Sequence, residues 1–199
     1  MRSDGAGAAP RTRARGAGDL GACVAALRAV HLADGYPTVW PADPAGWLAL
    51  GGAGDRAWVV ERDGRIAGHV ALVRAAAGDV APALLRRDPG PVAVVSRLFV
   101  APGERGRGLG TLLLARAADA ARAQCSRAVL DVVTTDTAAI ALYERAGWTF
   151  LGTGRQHWAP GVRVTVRGYA APDGGTPSRP TAPPSTSPPS PPSSPKEHP

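Results

Sequence analysis

The residues with the clearest chemical capacity lie in one stretch, "GERGRGLGTLLLARAADAARAQ", Gly103 to Gln124, where four glycines and two arginines stand directly before a helix-forming run. Gly103, Gly106, Gly108 and Gly110 permit backbone angles closed to other residues. Successive N–H groups can therefore converge on an anion at the start of a helix. Arg105 and Arg107 add positive charge at the same point. Spacing excludes two familiar anion sites. A dinucleotide fingerprint needs G-x-G-x-x-G, but three residues beyond Gly108 and Gly110 stand Thr111 and Leu113. A P-loop needs lysine after the second glycine, and Gly103 to Gly108 is followed by Leu109.

The elements that must position this turn follow from periodicity. Leu20, Val24, Leu27 and His31 fall on one helical face, with Asp19 in the first turn where the dipole favours it; Gly35 and Pro37 stop that helix. A short second helix begins near Pro44. "RAWVVERDGRIAGHVALVRA" reads as a hairpin turned by Asp63 and Gly64. "PVAVVSRLFVAP" is a strand that runs into the glycine turn and a helix over Thr111 to Gln124. "AVLDVV" is a strand, "DTAAIALYERAG" a helix closed by Gly147, and "WTFLG" and "VRVTVRGY" two more strands. The order predicts a mixed α/β domain.

Composition bounds the rest. With 199 residues and 44% hydrophobic content the chain can build one core. No apolar run is long enough to span a membrane, and the N-terminus has no secretory h-region, so the expectation is a cytoplasmic protein with no membrane partner. Cys23 and Cys125 read as small buried or half-buried helix residues rather than a disulfide. The net charge of +7 comes almost wholly from arginine, since Lys196 is the only lysine. With no asparagine and isoleucine only at Ile66 and Ile140, that bias looks like GC-rich coding. The arginines are scattered apart from Arg11, Arg13 and Arg15, so a nucleic-acid partner is not expected. Residues 1–10 read as a flexible arm, 11–170 as the folded domain, and 171–199, rich in proline and serine, as a disordered tail.

The segments "SRLFVAPGERGRGLGTLLL" and "LDVVTTDTAAIALYERAGWTFLG" resemble the GNAT superfamily of acyl-CoA-dependent N-acetyltransferases. Arg105, Gly108 and Gly110 match its R/QxxGxG/A signature, and "ALYERAGW" its second hallmark. The resemblance implies a central mixed, mostly antiparallel sheet flanked by helices. It implies that Arg105, Gly106, Arg107, Gly108, Leu109, Gly110 and Thr111 hold the pyrophosphate of acetyl-CoA as acyl donor. It further implies that the backbone of Leu98, Phe99 and Val100 pairs with the pantetheine arm, and that one of those N–H groups polarises the thioester carbonyl. Tyr143 would protonate the departing thiolate. Asp136 stands where the family often has asparagine toward the pantetheine.

A general base is not evident, because the family's glutamate before the glycine turn has no counterpart in "VAVVSRLFV". The alternatives are His31, Asp34, His69 and Asp131, with Glu104 too near the phosphates; each histidine is equally a satisfied core residue. In the family the loop around the first two helices covers the acceptor, so His31, Asp34, Tyr36, Trp40 and His69 are substrate-binding candidates. Aromatic faces and the carboxylates Asp34 and Asp43 would suit an ammonium group, and the same residues would equally staple the loop to the core. The acceptor is a small-molecule or protein amine, and no metal is implied. A monomer and a homodimer both fit. A catalytically silent acyl-CoA sensor is the alternative to an enzyme.

Overall fold

The computed structural model describes residues 9–85, 90–159 and 161–172. In chain order the elements are β1 (Arg11–Ala14), α1 (Leu20–Asp34), α2 (Pro44–Ala49), β2 (Arg56–Arg62), β3 (Arg65–Arg74), α3 (Val80–Ala83), β4 (Val92–Val100), α4 (Leu109–Ala123), β5 (Arg127–Val133), α5 (Thr137–Arg145), β6 (Thr149–Ala159) and β7 (Val162–Ala170). The strands form one seven-stranded sheet in the order β1-β2-β3-β4-β5-β7-β6. Every pairing is antiparallel except that of β4 with β5. α4 supplies the crossover between those two strands, as a parallel pair requires. The mixed, mostly antiparallel sheet flanked by helices is thus observed.

Alternation along the strands divides the core between the two faces of the sheet. Trp58, Val60, Val70, Leu72, Val95 and Leu130 pack under α4 and α5 against Leu109, Leu113, Leu114 and Tyr143. On the opposite face Val59 and Phe99 meet Cys23, Leu27 and Val30 of α1 and Leu48 of α2, while Val94, Val129 and Ala170 meet Ala81 of α3. The β2–β3 turn is made by Asp63 and Gly64, both at positive φ (+50° and +72°), the conformation that the two-residue turn demands.

Three expectations are corrected. Cys125 lies beyond the end of α4 and is exposed, whereas Cys23 is fully buried. α4 begins at Leu109, because Gly108, at φ +76°, takes the N-cap position. The strand read as "WTFLG" extends to Ala159, and α3 went unread because its four residues are too few to show a period. The arm over 1–8 and the tail over 173–199 lie outside the described residues.

Candidate active site

β4 and β5 pair only where Val92, Ala93 and Val94 face Arg127, Ala128 and Val129. Past that point β4 continues to Val100 alongside β3, and β5 continues to Val133 alongside β7. The two strands therefore part, and among the described residues no strand lies on the β5 side of β4 from Val95 to Val100. Such an edge is a template for an extended ligand chain. A β-bulge accompanies the parting: between the pairs Ala71–Ser96 and His69–Phe99, one residue of β3 opposes Arg97 and Leu98 of β4. Arg97 sits at φ +51°. The extra residue changes the side to which later residues point, so Leu98 and Val100 pack under α4 while Phe99 faces α1.

The glycine turn closes the mouth of this opening. Gly106 (φ +72°) and Gly108 (φ +76°) lie in the left-handed region, and a Cβ on either would meet nothing within 4 Å. Glycine is required there by backbone conformation rather than crowding. No side chain caps α4, so the first amides of the helix are open to an anion. Gly110 serves packing: a Cβ there would lie 3.1 Å from Leu142 Cδ2 of α5. The turn's cations are already engaged. Arg105 donates to both carboxylate oxygens of Asp34, at 3.0 Å for Oδ1, and through Nε to the carbonyl of Val100 at 3.3 Å. Glu104 accepts from Arg62 at 2.7 Å and lies 3.7 Å from Arg107. The hydrogen bond from Arg105 holds the Asp34 carboxyl below the usual carboxylate range.

Tyr143 lies 7% exposed on α5, its ring tilted against Trp148 and Tyr169. Burial pushes its phenol well above the ordinary range, helped by Tyr36 and Asp136. Tyr36, from the loop after α1, is raised by burial in the same way and feels Arg97 and Asp136. Tyr36 and Asp136 thus both bear on Tyr143 electrostatically, although Tyr143 packs on the α4 and α5 side of the sheet and Tyr36 on the α1 and α2 side. The carboxylate of Asp136 accepts from the amide of Ala139 at 2.9 Å and caps α5.

The acceptor candidates divide between two tasks. His31 donates from Nδ1 to the carbonyl of Pro37 at 3.0 Å, and its ring meets Trp40 at 5.0 Å. Both residues hold the loop down. Asp34 is paired with Arg105, and Asp43 caps α2 by accepting from Gly46 at 2.9 Å. His69 is fully buried, stacked on Phe99 at 5.3 Å, and donates from Nδ1 to the carbonyl of Arg97 at 2.9 Å. Burial lowers its pKa to about 4, which keeps it neutral and makes it the brace of the bulge rather than a base. Asp131 accepts from the amides of Val80 and Ala81 at 3.0 and 2.8 Å, and burial raises its pKa to about 6. It ties α3 to β5. Among the described residues no group of three or more histidines, cysteines or carboxylates could hold a metal ion, and no helix is long and apolar enough to cross a membrane.

Sequence reasoning missed Arg97 itself. The signal was present as the polar pair Ser96–Arg97 inside an otherwise apolar strand.

Residues 26–148 match the acetyltransferase (GNAT) family. Over 68 residues the chain is 48% identical to the tRNA-acetylating toxin of Mycobacterium tuberculosis (strain ATCC 25618 / H37Rv); the match covers 31% of this chain and 39% of that relative, so well under half of the relative is spanned. The fold is similar to that of the ribosomal-protein-S18-alanine N-acetyltransferase from Escherichia coli, with a TM-score of 0.60, 19% identity, and 82% and 94% of the two chains covered. It is similar also to Arabidopsis thaliana NAA60 in complex with acetyl-CoA, with a TM-score of 0.60, 18% identity, and 81% and 97% covered.

Proposed function

The chain belongs to the GNAT acetyltransferase family, and from that premise we propose that it moves an acetyl group from acetyl-CoA to a primary amine at the parting of β4 and β5. The observation that carries the site is the coincidence of three features. A β4 edge without a β5 partner runs into the uncapped helix N-terminus at Gly108, and Leu98 and Val100 of that edge pack against the core cluster that holds the buried Tyr143. The edge would take an extended arm and the turn its pyrophosphate, with the amides of Gly108 to Thr111 toward the phosphates. The backbone of Leu98 to Val100 holds the arm and the thioester carbonyl.

The amine nitrogen attacks the thioester carbon, and an N–H of β4 stabilises the oxyanion that forms. The C–S bond breaks, and Tyr143 gives its proton to the leaving sulfur. Burial suits Tyr143 to this task because it keeps the phenol protonated across the working pH range. Asp34 is engaged by Arg105 and Asp131 by the amides of α3, so the attacking amine passes its proton to solvent, and Tyr143 regains a proton from solvent after donating to the sulfur.

The test is thermal shift with acetyl-CoA, followed by release of free CoA across amine classes. Gly108→Glu places a side chain and a negative charge where the pyrophosphate would sit, at a φ that glutamate tolerates poorly. The variant should fold and lose acetyl-CoA stabilisation. Full stabilisation of the variant would overturn the cradle. A second reading, acylation of an amine carried on RNA, is favoured by the 68-residue likeness to the toxin. It requires CoA release with aminoacyl-tRNA and a steep loss of binding with salt.

A further inference from the structure

Arg97 is the only described residue of β4 with a left-handed backbone, and it occupies a bulge position that glycine fills at least cost. The strain is held in place by its surroundings: the buried His69 grips the Arg97 carbonyl, and Phe99 stacks on His69. What the arginine contributes is its side chain, which the bulge brings to the face of the sheet covered by α1 and α2. There the guanidinium lies over the ring of Trp47 at 4.8 Å.

The polar groups around it are incompletely matched. Arg97 Nε is buried without a hydrogen-bond partner, and no ion pair reaches this guanidinium among the described residues. Next to it, Ser96 Oγ is buried and unpartnered, and so is Nε of Arg15, whose other end donates to the carbonyl of Ala49 at 3.0 Å. These residues belong to one cross-strand row. The amide of Arg15 bonds the carbonyl of Ala57 at 2.9 Å, Ala57 pairs with Ala71, and Ala71 pairs with Ser96. Between the two polar ends stand only methyl groups. Burial and the nearby Arg15 both disfavour the charge on Arg97, while Tyr36 and Asp55 favour it; a guanidinium nevertheless remains charged. A half-buried, permanent cation with an unpartnered Nε, beside an unpartnered hydroxyl and with a second unpartnered guanidinium nitrogen across the row, is a receptor for an anion.

We propose that the acceptor is a small amine bearing a carboxylate, and that Arg97 binds that carboxylate with Ser96 and Arg15 beside it. The proposal rests on the acetyl-transfer reading above. Arg97 stands one residue before Leu98, so its guanidinium, at the end of its own side chain, lies about one side chain's length from the backbone proposed to hold the thioester. That separation fits an amine and a carboxylate carried on one small molecule. A planar fork of N–H donors suits a carboxylate bidentately, whereas a polycationic acceptor would meet two arginines.

The experiment is a free-CoA release assay with acetyl-CoA and three matched sets: the common α-amino acids, their methyl esters and their decarboxylated amines, with 2-aminoethyl phosphate as a further arm. At least one amino acid should exceed its ester and amine tenfold or more in kcat/KM, chiefly through KM. Arg97→Gly relaxes the backbone, so its Tm should not fall, and it should collapse that ratio to near one. Arg97→Lys should restore part of it. Acids that are no better than their esters overturn the proposal, as does a ratio that survives Arg97→Gly. A clear preference for 2-aminoethyl phosphate overturns the carboxylate in favour of a phosphate. If acetyl-CoA raises Tm but no acceptor turns over, calorimetric titration of the amino acids into the CoA complex decides, and absence of Arg97-dependent binding overturns the proposal. Failure of acetyl-CoA to bind overturns the acetyl-transfer reading itself and is read separately, from Tm alone.

Discussion

Burial has the same chemical meaning for Tyr143 and His69, since it favours the neutral form of each, yet it fits them for different work. A neutral phenol is a proton donor, so Tyr143→Phe should lower kcat by about 10² to 10⁴ if thiolate protonation limits the rate, with acetyl-CoA affinity kept because the ring still packs on Trp148 and Tyr169. Single-turnover kinetics would separate this from product release. His69 and Asp131 make a second, opposed pair. The folded pKa of His69, about 4 against an ordinary 6.5, means that the unfolded chain binds the proton better, so stability present above pH 6.5 is lost as pH falls toward 4. Asp131, about 6 against an ordinary 3.8, binds its proton better when folded, so stability is gained as pH falls through 6. Each effect is worth about 3 kcal/mol at full extent, and the two largely cancel. In urea titrations between pH 6.5 and 4, His69→Gln should become more stable on acidification relative to wild type, and Asp131→Asn less stable. Parallel profiles for all three proteins would refute the assignment. Tyr143 was legible because its segment reads as a helix with a hallmark motif. Arg97 was not, because a left-handed arginine contradicts the local rule that reserves such positions for glycine.

At the scale of elements the glycine turn, the β2–β3 hairpin and the main helices α1, α4 and α5 were legible, each carrying its own punctuation. α3 was not, and neither was the extent of β6, since its tip is defined by pairing with β7 rather than by composition. Packing between elements is equally invisible in the sequence at Gly68. A Cβ there would lie 2.7 Å from the carbonyl of Phe99 and 3.0 Å from Leu113 Cδ1, so β3 can approach β4 only because this residue is glycine. Gly68→Ala should cost about 1–3 kcal/mol of stability and weaken acetyl-CoA binding, because the backbone it displaces is the ligand edge of β4. Chemical denaturation and a thermal-shift titration measure the two effects. An alanine variant as stable as wild type, with unchanged affinity, would show that β4 yields without consequence.

Seen as a whole, the molecule covers its two sheet faces with different helices, α4 and α5 on one and α1, α2 and α3 on the other, and the proposed reaction puts the donor beside the first set and the acceptor under the second. The alternation of helices and strands announced this mixed architecture. The parting of β4 from β5 was not announced, because it depends on register. One contact joins the two sides: Arg105, in the turn meant for pyrophosphate, is held by Asp34, the last residue of the helix that leads into the acceptor loop. Asp34 is then an internal competitor of the donor's phosphates. Asp34→Asn should tighten acetyl-CoA binding several-fold in calorimetry, and an unchanged affinity would show that the turn's amides outweigh its arginine. Once Arg105 turns to the phosphates, the tether on the loop beginning at Tyr36 is released. The kinetic signature is an ordered encounter, donor first, in which product inhibition by CoA is competitive with acetyl-CoA and not with the amine.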